Sequence, residues 1–251
     1  MNTGFLPKAA TIRAHLRTLA SPATAKISQS FFKTGPGEYG EGDRFIGIRV
    51  PVLRQVAREF GGIALAELPE LIRSPIHEAR LLALIILVNR FALADAAEQG
   101  RIYRLYLKHT RFINNWDLVD TSAPQIVGGY LEARPCAVLF RLAKSKLLWE
   151  RRIAVLATFH LIRCGDYAAT LRLARMLLRD PHDLMHKAVG WMLREIGKRD
   201  VAVLRAFLQA HATQMPRTML RYAIEKFSTR ERQRFLRAVQ PKLPLAFGAR
   251  F

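Results

Sequence analysis

Apolar residues recur along this chain every three or four positions, and no stretch alternates apolar and polar residues for long enough to predict a strand. The pattern predicts helix almost throughout. Ser21-Pro22, Ser74-Pro75 and Asp180-Pro181 each offer an N-cap followed by proline at the first helical position, where its missing N–H costs nothing. Pro51, Pro135 and Pro216 open further apolar-periodic segments. Long helices are predicted to begin near Asn114, Leu147, Pro181 and Pro216. A shorter partner follows each, near Pro135, Asp166, Asp200 and Thr229.

The long helices are spaced by roughly 35 residues, within the range of stacked helical hairpins. No letter-for-letter repeat accompanies the spacing. The fold class expected is all-α, an α-solenoid of HEAT-like antiparallel helix pairs with a concave basic face; an irregular helical bundle is the competing arrangement. One domain over residues 1–240 is expected, with a loose tail at 241–251 marked by Pro241, Pro244 and Gly248. The one long non-helical stretch, 34–50, holds Gly35, Pro36, Gly37, Gly40, Gly42 and Gly47. A loop of this length inside a domain is commonly functional. Tyr39, Arg44 and Arg49 mark it as a shaped, partner-facing one.

Charge sharpens the picture. The 251 residues include 40 Lys and Arg against 20 Asp and Glu, a net charge of +20, with 50% hydrophobic residues to build a core. That excess points first to nucleic acid and second to an anionic membrane surface. The most apolar run, Leu81 to Val88, falls well short of the roughly 20 residues that span a bilayer. Cys136 and Cys164 form no CxxC pair and lie in apolar helical contexts, so both are expected as small core residues of a protein in a reducing compartment. No apolar N-terminal stretch precedes a small-residue cleavage site. A cytoplasmic monomer is expected.

Helical spacing then groups the residues with chemistry. From Pro181 to Arg199 the apolar stripe is Leu184, Met185, Ala188, Val189, Met192, Leu193 and Ile196. Trp191 borders it, with Lys187, Arg194 and Lys198 at helical spacing. Such a tryptophan either caps the core under lysine stems or meets nucleic acid, and the cations favour the second reading. Arg152 shares its side with Leu148, Trp149, Leu156 and Phe159. An arginine there needs a partner, an internal carboxylate or an external phosphate. Trp116 and Asp120 stand at i and i+4, hence on one face. Asp117 is explained by the helix dipole, whereas Asp120 lies a turn further in, where that explanation fades. Trp116, Arg152 and Trp191 are separated by 36 and 39 residues, close to the repeat length, which offers them equivalent places on three successive long helices.

His182 and His186 stand at i and i+4, but no glutamate follows the first and no third ligand is apparent, so no metal is expected. The chain has neither a GxxxxGK[ST] loop nor a GxGxxG opening a helix, and no cofactor is expected.

Five segments together resemble the AlkD-type DNA alkylation repair glycosylases: Gly37 to Pro51, Asn115 to Pro124, Trp149 to Ala154, Lys187 to Glu195 and Met215 to Ala223. The likeness runs over roughly residues 20 to 230. It implies a HEAT-like stack that excises cationic alkylated purines such as 3-methyladenine and 7-methylguanine from duplex DNA, without requiring the base to enter a pocket. Carried over position by position, it implies Asp120 as the catalytic carboxylate. Trp116 and Trp191 would pack against the lesion's deoxyribose, and Arg152 would engage the backbone at the catalytic centre. Lys187, Arg194, Lys198, Arg217, Tyr39 and Arg49 complete the expected DNA-contacting set. A non-catalytic HEAT-repeat module for structured or damaged DNA is the second reading. Against it stands Asp120, since a pure phosphate binder gains nothing from a carboxylate in its groove.

Overall fold

The computed structural model describes residues 7–238; the expected tail at 241–251 lies outside them. The fold is all-α, and among the described residues the only β pairing is an isolated parallel bridge between Arg44 and Ile76. Two compact units divide at Cys164 and Gly165.

The first unit comprises α1 (Ala9–Thr18), α2 (Pro22–Phe31), α3 (Val50–Glu59), α4 (Leu68–Ile72), α5 (His77–Leu93), α6 (Ala96–Lys108), α7 (Trp116–Ala123), α8 (Gly129–Leu131), α9 (Ala137–Leu142) and α10 (Leu148–Arg163). Helix α5 is its axis. Every residue from Leu81 to Leu87 is buried, so the most apolar run of the sequence is a core helix surrounded by protein. It packs against α3, α4 and α7, and α7 packs in turn on α10. At Pro124 the chain loses a backbone donor, and α7 widens into a π-helical turn over Pro124–Gly128 before α8. Gly128 lets α10 cross closely, since a Cβ there would stand 2.2 Å from the Ala157 carbonyl oxygen.

The second unit comprises α11 (Ala168–Met176), α12 (Asp183–Gly197), α13 (Val201–His211), α14 (Arg217–Ala223) and α15 (Thr229–Ala238). Helix α12 packs on α11, α13 and α14. Its stripe from Met185 to Ile196 is buried as predicted, with Leu184 only half-buried at the edge. Gly190 sits where a Cβ would meet the Met219 carbonyl at 2.5 Å, so α12 and α14 approach backbone to backbone. Within the units α5 packs on α7, α7 on α10 and α12 on α14, as HEAT-like pairs do; the long helix expected near Pro216 is the short α14, with 7 residues against the 10 of α15.

Helix starts follow the sequence closely, with two displacements. Ser21 caps α2 by accepting the Thr24 N–H, and Asp200 caps α13 by accepting that of Val203. Ser74 and Asp180 instead accept the amides of Ile76 and His182, two residues on. Each therefore closes a pre-helical turn around its proline, and α5 and α12 begin later, at His77 and Asp183. The cysteines also depart from expectation. Cys136 is half-buried and Cys164 exposed, because one precedes and the other follows its helix, where the apolar face has ended. No helix among the described residues is long and apolar enough to cross a membrane.

Candidate active site

Asp120 and Arg152 meet. Helix α7 presents the carboxylate one turn beyond Trp116, and α10, packed across it, presents the guanidinium. Arg152 Nε donates to Oδ1 at 2.9 Å and Nη2 to Oδ2 at 2.7 Å, a two-pronged grip. The arginine is 5% exposed, so of its two possible partners the fold supplies the internal carboxylate. Arg151, its neighbour, donates instead to the carbonyls of Ser145 and Lys146. The side chain of Asp120 retains 20% of its exposure, which leaves part of it open to solvent. Burial raises the Asp120 carboxyl above its ordinary value; the charge and hydrogen bonds of Arg152 work against that rise, and Asp117 adds to it.

Trp116 is half-buried at the start of α7 and is held on two sides. Its ring stacks on Phe32 at 5.1 Å and meets Phe31 edge-on at 5.9 Å. Its indole N–H donates to the Tyr39 hydroxyl at 3.3 Å, so the glycine-rich loop reaches the candidate site through that phenol. The aromatic stack continues from Phe32 to Phe45 and from Phe45 to His77. Arg49, at the end of the same loop, is exposed as the N-cap of α3.

Beneath the stack lies a buried ionic network that the sequence patterns did not reveal. His77 Nδ1 and Nε2 each lie 2.7 Å from a carboxylate oxygen, of Asp43 and Asp117 respectively. Both ring nitrogens then act as donors, which requires the charged imidazolium. Burial alone would lower the His77 value; the hydrogen bonds and charges of Asp117 and Asp43 outweigh it and raise it to about 9. Asp43 also accepts from Arg80 Nη2 at 2.5 Å and from the Asn115 amide at 3.3 Å. Burial would push the Asp43 carboxyl up, but His77 and Arg80 hold it below the ordinary carboxylate value. Two carboxylates face two cations, so the set is neutral. Next to it Glu78, 3% exposed, accepts the backbone N–H groups of Ile46, Gly47 and Ile48. The loop is thus fastened to α5 by residues 43 and 46–48, and to α7 through the bonds of Asp43 to Asn115 and of Tyr39 to Trp116. The available signal was the pair His77-Glu78, two ionisable groups opening the most apolar helix of the chain.

In the second unit Trp191 is half-buried on α12, and its indole N–H donates to Glu195 Oε1 at 3.2 Å. Glu195 is 6% exposed and gathers Lys198 at 2.6 Å and Arg199 at 3.4 Å. Burial would raise the Glu195 carboxyl, but Lys198, Trp191 and Arg199 hold it below its usual range. Lys187 pairs with Asp183 at 2.7 Å, and Arg194 with Glu225. Arg217 is exposed and donates to the Leu236 carbonyl at 2.7 Å. The basic stripe beside Trp191 is therefore partnered by acids of its own unit. The Lys187–Asp183 pair is exposed on both sides and of small worth, whereas Lys198 and Arg199 face a buried carboxylate. His182 and His186 both bond to backbone, to Leu184 N–H and the Asp180 carbonyl.

Comparison with known proteins places this geometry in context. Among curated proteins no sequence relative is found. A solved structure titled "Predicted DNA alkylation repair enzyme from Enterococcus faecalis" shares the fold with a TM-score of 0.64 at 15% identity, over 84% of this chain and 97% of that one. The family described as DNA alkylation repair enzyme matches residues 12–227, which spans both units and every residue of the candidate site. The chain belongs to the DNA alkylation repair enzyme family.

Proposed function

We propose that this protein is a DNA glycosylase that hydrolyses the N-glycosidic bond of cationic alkylated purines, 3-methyladenine and 7-methylguanine, in duplex DNA. The observation that carries the reading is the Asp120–Arg152 pair beside Trp116, an oriented carboxylate in a protein whose net charge is otherwise strongly positive. Alkylation at N3 or N7 gives the purine a positive charge. The base leaves as a neutral molecule, so the reaction needs no general acid. What develops charge is the sugar, which becomes oxocarbenium-like as the bond breaks. A carboxylate about 4 Å from that charge contributes roughly 4 kcal/mol at an effective dielectric near 20. That is about a thousandfold in rate. Arg152 fixes the plane of the carboxylate and favours its ionised form against burial. Asp120 also orients the attacking water. Trp116 offers its ring face to the developing cation, and Trp191 carries the same expectation on α12. Lys187, Arg194, Lys198, Arg217 and Arg49 hold phosphates, with affinity falling steeply with salt.

Methylated duplex DNA incubated with the protein should release free 7-methylguanine and leave abasic sites. Asp120→Asn should lose that release about a thousandfold while still binding the duplex. Binding by the wild-type chain with no base release over hours would instead favour the non-catalytic module. An Asn variant of full activity would remove Asp120 from the chemistry.

A further inference from the structure

Glu132, His160 and Cys164 converge where α10 ends, and no step of the proposed reaction uses them. His160 stands in the last turn of α10 and Cys164 is its C-cap, so the two lie about one turn apart, at i and i+4. Glu132 follows α8, and the close crossing at Gly128 brings that segment over His160, whose Cβ would lie 2.7 Å from a Cβ at Gly128. His160 Nε2 is 2.7 Å from Glu132 Oε2, and the three donor atoms, one nitrogen, one oxygen and one sulfur, all lie within 4.8 Å of one another. We propose that these three side chains form a binding site for a zinc-class divalent ion.

The donor set fits that ion. Zinc takes sulfur at about 2.3 Å and nitrogen or oxygen at about 2.0–2.2 Å in a tetrahedron, which sets its ligand atoms roughly 3.3–3.7 Å apart. The three donor atoms, all within 4.8 Å of one another, lie close to that range on half-exposed and exposed side chains. A thiol in the set selects zinc or cobalt over magnesium and calcium, which take oxygen. The C-terminal end of a helix with sixteen residues also carries partial negative charge that favours a cation. The ion displaces an exposed Glu132–His160 contact of small worth. Glu132 and His160 also line a cleft of about 570 Å³, shared with Gln99, Gln125 and Phe91, which gives a fourth coordination position access to water. Binding releases the thiol proton to solvent.

Cobalt(II) chloride titrated into the reduced full-length chain reads the site directly. A near-ultraviolet thiolate-to-cobalt charge-transfer band should saturate at one equivalent, persist in excess magnesium, and disappear on addition of zinc. Cys164→Ser should abolish the band, and His160→Gln and Glu132→Gln should each weaken binding tenfold or more. Cys136→Ser should leave it intact. Zinc at a hundred times its Kd should raise the thermal midpoint by about 5 °C or more in the wild type, and not in Cys164→Ser. No band, a band that survives Cys164→Ser, or one lost in Cys136→Ser would overturn the assignment. The readouts are spectroscopic and thermal, so they stand or fall apart from base release.

Discussion

The hydroxyl of Tyr39 accepts the indole N–H of Trp116 at 3.3 Å, a hydrogen bond between residues 77 positions apart. It ties the tip of the glycine-rich loop to the first residue of the helix that carries Asp120. Tyr39→Phe removes one oxygen and keeps the ring. It should cost about 0.5–1.5 kcal/mol of stability, read from the urea midpoint. It should also lower base release severalfold by freeing Trp116 to turn. Unchanged stability and unchanged release would mean that the bond holds nothing in place.

Base release should fall on the acid side with a midpoint above the ordinary aspartate value of 3.8. Burial raises the Asp120 carboxyl, and the proposed chemistry uses its ionised form. Arg152 works against that rise, so Arg152→Met should move the acid limb to still higher pH. It should also destabilise the fold by about 3 kcal/mol, since one member of a desolvated pair is left alone. An acid limb at or below 3.8, or one that Arg152→Met leaves in place, would assign the limb to another group.

His77 gives the opposite dependence. Its folded-state value of about 9 lies above the ordinary 6.5, so its contribution to stability is whole below about pH 6.5 and is lost as pH rises through 9. At about 1.4 kcal/mol for each pH unit of displacement, the loss amounts to about 3 kcal/mol. Asp43, held below 3.8, contributes stability that is present above that value and lost as pH falls. Urea unfolding followed from pH 5 to 10 should show the alkaline decline in the wild type, and His77→Gln should flatten it. A wild-type curve level from pH 6.5 to 9.5 would contradict the charged imidazolium between Asp43 and Asp117.

Gly47 has φ +84°, and a Cβ there would stand 2.1 Å from the Ser21 carbonyl oxygen and 2.5 Å from the Ala25 nitrogen. Gly47→Ala should therefore destabilise the protein by about 3 kcal/mol or more. Gly37 makes the control. It has φ +75° with nothing near its missing Cβ, so Gly37→Ala should cost only the backbone term, about 1–2 kcal/mol. Equal costs at the two positions would show that backbone conformation, rather than the packing of the loop on α2, governs both.

Much of the fold was legible in the sequence because its signals are local. Ser21-Pro22, Pro51, Asp200 and the apolar stripe of α12 act within a turn or two of where they stand. Ser74 and Asp180 misled by two residues, because a cap and a pre-helical turn draw on the same side-chain acceptor and differ only in which amide it takes. The need of Arg152 for a partner was legible from its apolar surroundings; which partner was not, since Asp120 is 32 residues away on another helix. The network around His77 was hidden for the same reason. Its members come from the loop, α5 and the start of α7, and only the assembled fold brings them within 3 Å or so of one another. Cys164 was misplaced because periodicity reports which face a residue shares, and says little where the helix stops.

Fastening the loop through Asp43 and Glu78 has a kinetic consequence. Its partners on α5 and at the start of α7 lie 30 to 72 residues further along the chain, so it docks fully only once α5 and α7 have come together. Seating the loop is then a late step of folding and an early step of partial opening. The amides of Ile46, Gly47 and Ile48, all bound to one carboxylate, should exchange hydrogen together and ahead of the α5 core.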